Sequence, residues 1–183
     1  MARWESVLDE LVRDRGRALV GYAFLLCGDT VEAEDLVQDA LVKTFSGRLP
    51  ADAVLSAEAY VKRAILTIYL DGFRRRKHWA SIRHLSTVQE TDEVPRPEVI
   101  VTDRMHVFQA LGSLSPRERA CVVLRFYEDM TVRQIADHLS LSQGTVKRYL
   151  ADAISTLEHE LGPVDHDLGE ELETTPVPGR RAR

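Results

Sequence analysis

Apolar residues return at intervals of three and four along almost the whole chain, and no segment alternates with the period of two that a half-buried strand needs. The first such stretch, about Glu5–Cys27, sets Val7, Leu8, Leu11, Val12, Leu19, Tyr22, Ala23 and Leu26 on one side of a helix. Gly28 ends it, and Asp29 with Glu32 makes a capping box for a second helix, about Val31–Phe45. That helix buries Ala33, Leu36, Val37, Ala40, Leu41 and Phe45, and turns Glu34, Asp35, Gln38, Asp39 and Lys43 outward. Gly47 and Pro50 mark residues 46–57 as a loop. A long helix from about Ala57 to His78 follows, capped by Ser56, with Tyr60, Val61, Ala64, Ile65, Ile68, Tyr69 and Phe73 as its core candidates. Arg74, Arg75, Arg76 and Lys77 stand together at its end, where cations favour the helix dipole, with Trp79 just beyond them.

The periodicity then breaks. Residues 86–100 are acidic, and Pro95 and Pro97 argue against a continuous helix. It resumes near Asp103 with Val107, Phe108, Ala110, Leu111 and Leu114. Ser115 and Glu118 form a capping box with Pro116 at the first helical position, opening a helix over Arg117–Tyr127 that buries Cys121, Val122, Leu124 and Phe126. Thr131 with Gln134 is a further capping box, Ile135, Ala136 and Leu139 give the next helix its stripe, and Leu141 fills the turn after it. Ser142 caps a last helix that faces inward through Val146, Tyr149 and Leu150 and ends at Gly162-Pro163. This is the pattern of a helix-turn-helix, with Gln143, Thr145, Lys147 and Arg148 placed to reach base edges and phosphates. The expected fold is all-α: a helical domain at 1–85, a flexible acidic linker at 86–102, a helix-turn-helix domain at 103–162 and a disordered tail at 163–183.

A net charge of −5 over 183 residues looks wrong for a DNA-binding protein until it is divided by segment. Residues 59–83 carry seven cations against Asp71 alone, a local +6, while residues 1–58 sum to −5, residues 86–102 to −3 and residues 103–162 to −1. Lys62, Arg63, Arg74, Arg75, Arg76 and Lys77 thus form a focused electrostatic footprint in an otherwise acidic chain. The acidic remainder weakens indiscriminate DNA binding and hints at a protein that needs help to bind. Cys27 and Cys121 are isolated, without CxxC spacing or a Cys/His cluster, and read as buried thiols; no metal site is expected. No apolar run approaches the roughly 20 residues of a membrane span, and the N-terminus lacks a signal peptide's apolar segment, so a cytoplasmic location without membrane insertion is expected.

Two stretches together resemble the small, extracytoplasmic-function type of bacterial sigma factor, a branch of the sigma-70 family, and an actinobacterial subgroup of it in particular. One runs from Tyr22-Ala-Phe-Leu-Leu-Cys-Gly-Asp through Ala33-Glu-Asp-Leu-Val-Gln-Asp to Tyr69-Leu-Asp-Gly-Phe-Arg-Arg-Arg. The other runs from Leu111-Gly-Ser-Leu-Ser-Pro-Arg-Glu through Leu124-Arg-Phe-Tyr-Glu-Asp-Met-Thr to Ser142-Gln-Gly-Thr-Val-Lys. The resemblance implies an alternative sigma factor that performs no chemistry, needs no cofactor, and has core RNA polymerase (β′ and β subunits) and promoter DNA as partners. It implies that Asp35, Leu36, Gln38 and Asp39 meet the polymerase. Lys62, Arg63, Arg74, Arg75, Arg76, Lys77 and Trp79 would act on the minus-ten element, with Tyr60 and residues 46–58 as possible base-stacking surfaces. Gln143, Thr145, Lys147 and Arg148 would read the minus-thirty-five element, with Arg133 and Arg119 as further phosphate contacts.

Departures from the family's pattern are local. Many relatives have an asparagine where this chain reads Ile65-Leu-Thr-Ile-Tyr69, and further arginines where it has Asp152 and Glu158. The sequence leaves open whether an anti-sigma factor holds the protein inactive. The rival reading is a stand-alone helix-turn-helix regulator with an N-terminal sensing or dimerisation half. An enzyme such as a nuclease would need carboxylates or metal ligands grouped near the basic helix, and Asp71 alone does not supply them.

Overall fold

The computed structural model describes residues 3–46, 57–83 and 103–162, and Lys77, Trp79, the acidic linker and the tail have no described side chains. Seven α-helices and one π-helical turn make up the described residues, with no strand among them. They are α1 (Arg3–Cys27), α2 (Thr30–Phe45), α3 (Ala57–Arg83), α4 (Asp103–Gly112), α5 (Pro116–Val122), the π turn Val123–Tyr127, α6 (Val132–Leu139) and α7 (Gln143–Leu161). The chain divides into two compact units, Met1–Gly112 and Ser113–Arg183. This division puts α4 with the first unit, whereas the sequence reading starts the second domain at Asp103.

In the first unit α1, α2 and α3 pack against one another. Leu19, Tyr22, Ala23 and Leu26 of α1 meet Ala33, Val37 and Ala40 of α2 and Val61, Ile65 and Tyr69 of α3 in a buried core. Small residues such as Ala23, Ala33 and Ala40 let the helices approach closely while the larger ones interdigitate. Gly28 makes the sharp exit from α1 at φ 78°, a left-handed conformation that costs glycine little. Asp29 then caps α2 by accepting the Glu32 amide at 2.8 Å. Phe108 of α4 sits edge-on to Phe24 of α1, with ring centres 4.9 Å apart.

The second unit is built by local signals that the sequence displays openly. Both capping boxes expected in this unit form, Ser115 with Glu118 and Thr131 with Gln134, whereas at Asp29 of the first unit only the side-chain half of the expected box is made. Leu124, Ile135, Val146, Leu150 and Ala153 fill its core with Cys121. Ser140 ends α6 in the left-handed region at φ 54°, and Leu141 closes the turn by donating to the Ala136 carbonyl at 2.9 Å.

One expected helix differs. Arg117–Tyr127 is not a single α-helix, because its last five residues form the π turn, closed by the Glu128 amide donating to the Val123 carbonyl at 3.2 Å. The inserted residue shifts the phase of everything after it. Phe126, expected in the core, is 53% exposed. Tyr60, Phe73 and Val12 are also exposed, because each lies on the flank of its helix beyond the stripe that meets a neighbour.

Candidate nucleic-acid interface

The helix-turn-helix presents its second helix as the sequence predicts. Ser142 caps α7, its hydroxyl accepting the Thr145 amide at 3.0 Å and sharing a 2.8 Å hydrogen bond with the Thr145 hydroxyl. Thr145 is therefore partly committed to the cap. Gln143 and Arg148 are exposed, Lys147 is half-buried, and Arg133 stands exposed on α6. No carboxylate occupies the first turn of α7, so its free amides and positive dipole end face outward uncompensated. A Cβ at Gly144 would come no nearer than 3.9 Å to Ser142 Oγ, so nothing within the unit demands glycine there. Arg119 is a correction: it is buried within α5 and is no surface phosphate contact.

On α3 the predicted cations divide between two faces. Tyr60, Arg63, Thr67 and Arg74, at intervals of three, four and seven, share the exposed side opposite Val61, Ile65 and Tyr69. Arg63 and Arg75 are exposed and have no ion pair among the described residues. Arg74 pairs with Asp71 at 2.8 Å, and Arg76 reaches Glu32 on α2 at 3.5 Å. Lys62 turns the other way, its ammonium 3.2 Å from Glu58 and 5.7 Å from the centre of the Tyr22 ring. It belongs to the packing between α1 and α3, not to the exposed basic side. Position in the basic block does not distinguish faces; Glu58, four residues earlier, is the local signal that could have found it. Tyr60, by contrast, is 41% exposed and available for stacking.

The outward face of α2 carries Asp35, Gln38 and Asp39, all exposed. Leu36, expected as the apolar contact beside them, is only 7% exposed and belongs to the core, since it falls in the stripe with Ala33, Val37 and Ala40. The apolar groups on the outward face are Val31 and Val42, 68% and 66% exposed, in line with Asp35 and Gln38 at spacings of four, three and four. Helical phase alone would have found them.

No group of three or more His, Cys, Asp and Glu among the described residues could hold a metal ion, and no described helix is long and apolar enough to cross a membrane. The thiols are not poised for reaction. Burial raises the Cys27 thiol, which donates to the Asp29 carbonyl, and pushes Cys121 up to about 12.

Residues 11–78 match the family Sigma-70 region 2, and residues 110–159 match Sigma-70, region 4. An RNA polymerase sigma-E factor of Streptomyces avermitilis is 37% identical over 166 residues, which cover 87% of this chain and 87% of that protein. This chain belongs to the sigma-70 family of RNA polymerase sigma factors. Within the family it is an alternative sigma factor of the extracytoplasmic-function type. It is similar to the RNA polymerase sigma-E factor of Streptomyces antibioticus, 36% identical over 91% of this chain and 92% of that one. It is also similar to the ECF RNA polymerase sigma factor SigL of Mycobacterium tuberculosis, 29% identical over 86% and 92%. Its fold recurs in the sigma factor RpoE of Bartonella quintana, solved in complex with the anti-sigma factor NepR. That structure has a TM-score of 0.60 and 21% identity, and the match covers 86% of this chain and 98% of that one. The union of the two regions in one chain does not favour the stand-alone regulator.

Proposed function

We propose that this sigma factor binds core RNA polymerase through the outward face of α2 and directs it to promoters through α7 and the exposed side of α3. Asp35, Gln38 and Asp39 make the polar contacts with the polymerase and Val31 and Val42 the apolar ones. Gln143, Lys147 and Arg148 read the minus-thirty-five element in the major groove, helped by Thr145 and Arg133. Arg63, Arg74, Arg75 and Arg76, with Lys77 and Trp79 beyond them, hold the strands of the minus-ten element, and Tyr60 offers a ring to an unstacked base. A domain around residues 1–85 thus serves the polymerase and the minus-ten element, and one around 103–162 the minus-thirty-five element. The sigma factor performs no reaction of its own and acts in the cytoplasm beside the enzyme it directs. An inhibitory protein, of the kind bound to the Bartonella relative, would compete for the α2 face.

The observation that carries this reading is the division of charge within the first unit: the outward side of α2 is acidic and that of α3 is basic. One side suits a protein partner and the other suits DNA. Run-off transcription from genomic fragments with purified core polymerase tests it. Specific transcripts are expected only when the sigma factor is added, and they are expected to vanish with Arg75→Glu or Lys147→Glu. A chain that leaves core enzyme unchanged but shifts a duplex alone would overturn it.

A further inference from the structure

Glu58 joins α1 to the start of α3. Its carboxylate accepts both arms of a bidentate pair from Arg15 of α1, Nε at 2.7 Å and Nη2 at 2.9 Å, and receives Lys62 Nζ at 3.2 Å from one turn along α3. Lys62 in turn lies over the Tyr22 ring. The Lys62 and Glu58 side chains are only 19% and 25% exposed, so their pair is more sheltered than the other ion pairs among the described residues, while the Arg15 side chain is 54% exposed. The Arg15 hydrogen bonds hold the Glu58 carboxyl below its ordinary range, with Lys62 adding to the effect.

The location gives the cluster its meaning. From Val61 to Tyr69 α3 is held in the core by Val61, Ile65, Leu66 and Tyr69. Before Val61, Ala57 alone among residues 57–60 is buried, and its methyl fixes little. Glu58 is the other anchor, and it stands just before residues of opposite fate. Tyr60 and Arg63 face outward; Lys62 is drawn inward. Deleting the carboxylate would remove its pairs with Arg15 and Lys62 and leave the first turn able to fray.

We infer that Glu58 is a positioning residue for promoter opening: by clamping α1 to the first turn of α3 and drawing Lys62 away from DNA, it fixes how Tyr60 and Arg63 are presented to the melted strand. The inference rests on the assignment of α3 to strand opening made above. Its corollary is that Lys62 contributes no phosphate contact although it lies in the basic block.

The test uses the full chain with core polymerase on promoters found by run-off transcription, and reads permanganate reactivity of unpaired thymines beside core-binding affinity. Glu58→Gln is expected to lower strand opening about tenfold while core affinity stays within about twofold, and Glu58→Arg to lower it further. Arg15→Glu combined with Glu58→Arg restores the pair and is expected to recover most of the opening. Thermal melts keep a folding defect distinguishable, since Glu58→Gln preserves shape. Opening by Glu58→Gln equal to wild type would overturn the inference, and so would opening and core affinity falling in parallel. On a labelled mixed-sequence single strand bound by the polymerase–sigma complex, Arg63→Met is expected to reduce the salt slope by about 0.7 and Lys62→Met to leave it unchanged. An equal loss of slope with Lys62→Met would overturn the corollary. If wild-type protein opens no promoter, the assignment of α3 fails before the clamp is tested.

Discussion

Ser142 and Thr145 are bonded twice, once through the Thr145 amide and once hydroxyl to hydroxyl, so the cap of the reading helix and one of its candidate contacts are the same small structure. Changes there act on stability and on DNA together. Ser142→Ala is expected to cost about 1 kcal/mol of stability by chemical denaturation and to weaken duplex binding as well. Thr145→Val keeps the methyl edge and the amide bond to Ser142, so it is expected to lower stability less than Ser142→Ala does.

Leu36 and Val42 lie on opposite sides of α2, and their substitutions should separate folding from partnership. Leu36→Ala opens a cavity in the first unit and is expected to cost about 2–5 kcal/mol in a denaturant melt. Val42→Ser leaves the melt nearly unchanged but weakens binding to core polymerase. A Val42→Ser protein that binds core at wild-type strength would remove this face of α2 from the interface.

Ser140 holds φ 54° at the turn of the helix-turn-helix, a conformation that a residue with a Cβ adopts at a cost. Ser140→Gly is expected to raise stability by up to about 1 kcal/mol, and Ser140→Val to lower it by about 1–2 kcal/mol. Denaturation midpoints of the three proteins give the order directly.

Glu58 makes stability depend on pH in a stated direction. Its folded carboxyl titrates below the ordinary value of 4.5, so the clamp's contribution is complete above that value and fades as pH falls through the lower, folded one. The difference in Tm between wild type and Glu58→Gln should therefore be constant near neutrality and shrink in acid below 4.5. A difference that grows on acidification would show the opposite linkage.

Cys121 offers a check on packing. With its thiol pushed up to about 12 inside the second unit, alkylation at pH 8 is expected to be negligible in the native protein and rapid after unfolding. Labelling of Cys121 in native protein, followed by mass spectrometry, would contradict the burial.

What could be read from the chain was whatever is decided within one turn of helix. Ser115, Thr131 and Ser142 form the caps their sequence contexts predict, because a cap needs only a neighbour three residues away. Helix identity and most of the core followed from period alone. The misreadings came from distance and phase. Lys62 reads like its basic neighbours until Arg15 and Tyr22 of α1 are brought against the local Glu58–Lys62 pair, and Arg15 is 43 residues from Glu58. Phe108 finds Phe24 across more than 80 positions, a pairing no local pattern encodes. Leu36 is buried as the apolar stripe of α2 predicts, and only the family resemblance pointed it outward.

The π turn at Val123–Tyr127 has a consequence for how this domain can change over generations. Each residue of an α-helix advances the chain by about 100° of rotation, so the extra residue there sets the angular offset between α5 and all that follows. Deleting one residue from the turn would let α5 run on as a continuous helix and bring Phe126 round toward the interior. It would also swing α6 and α7 out of phase with the cap at Ser115. Insertions and deletions, ordinarily tolerated at the ends of helices, should be selected against here, because a single codon separates a correctly aimed reading head from a misaligned one.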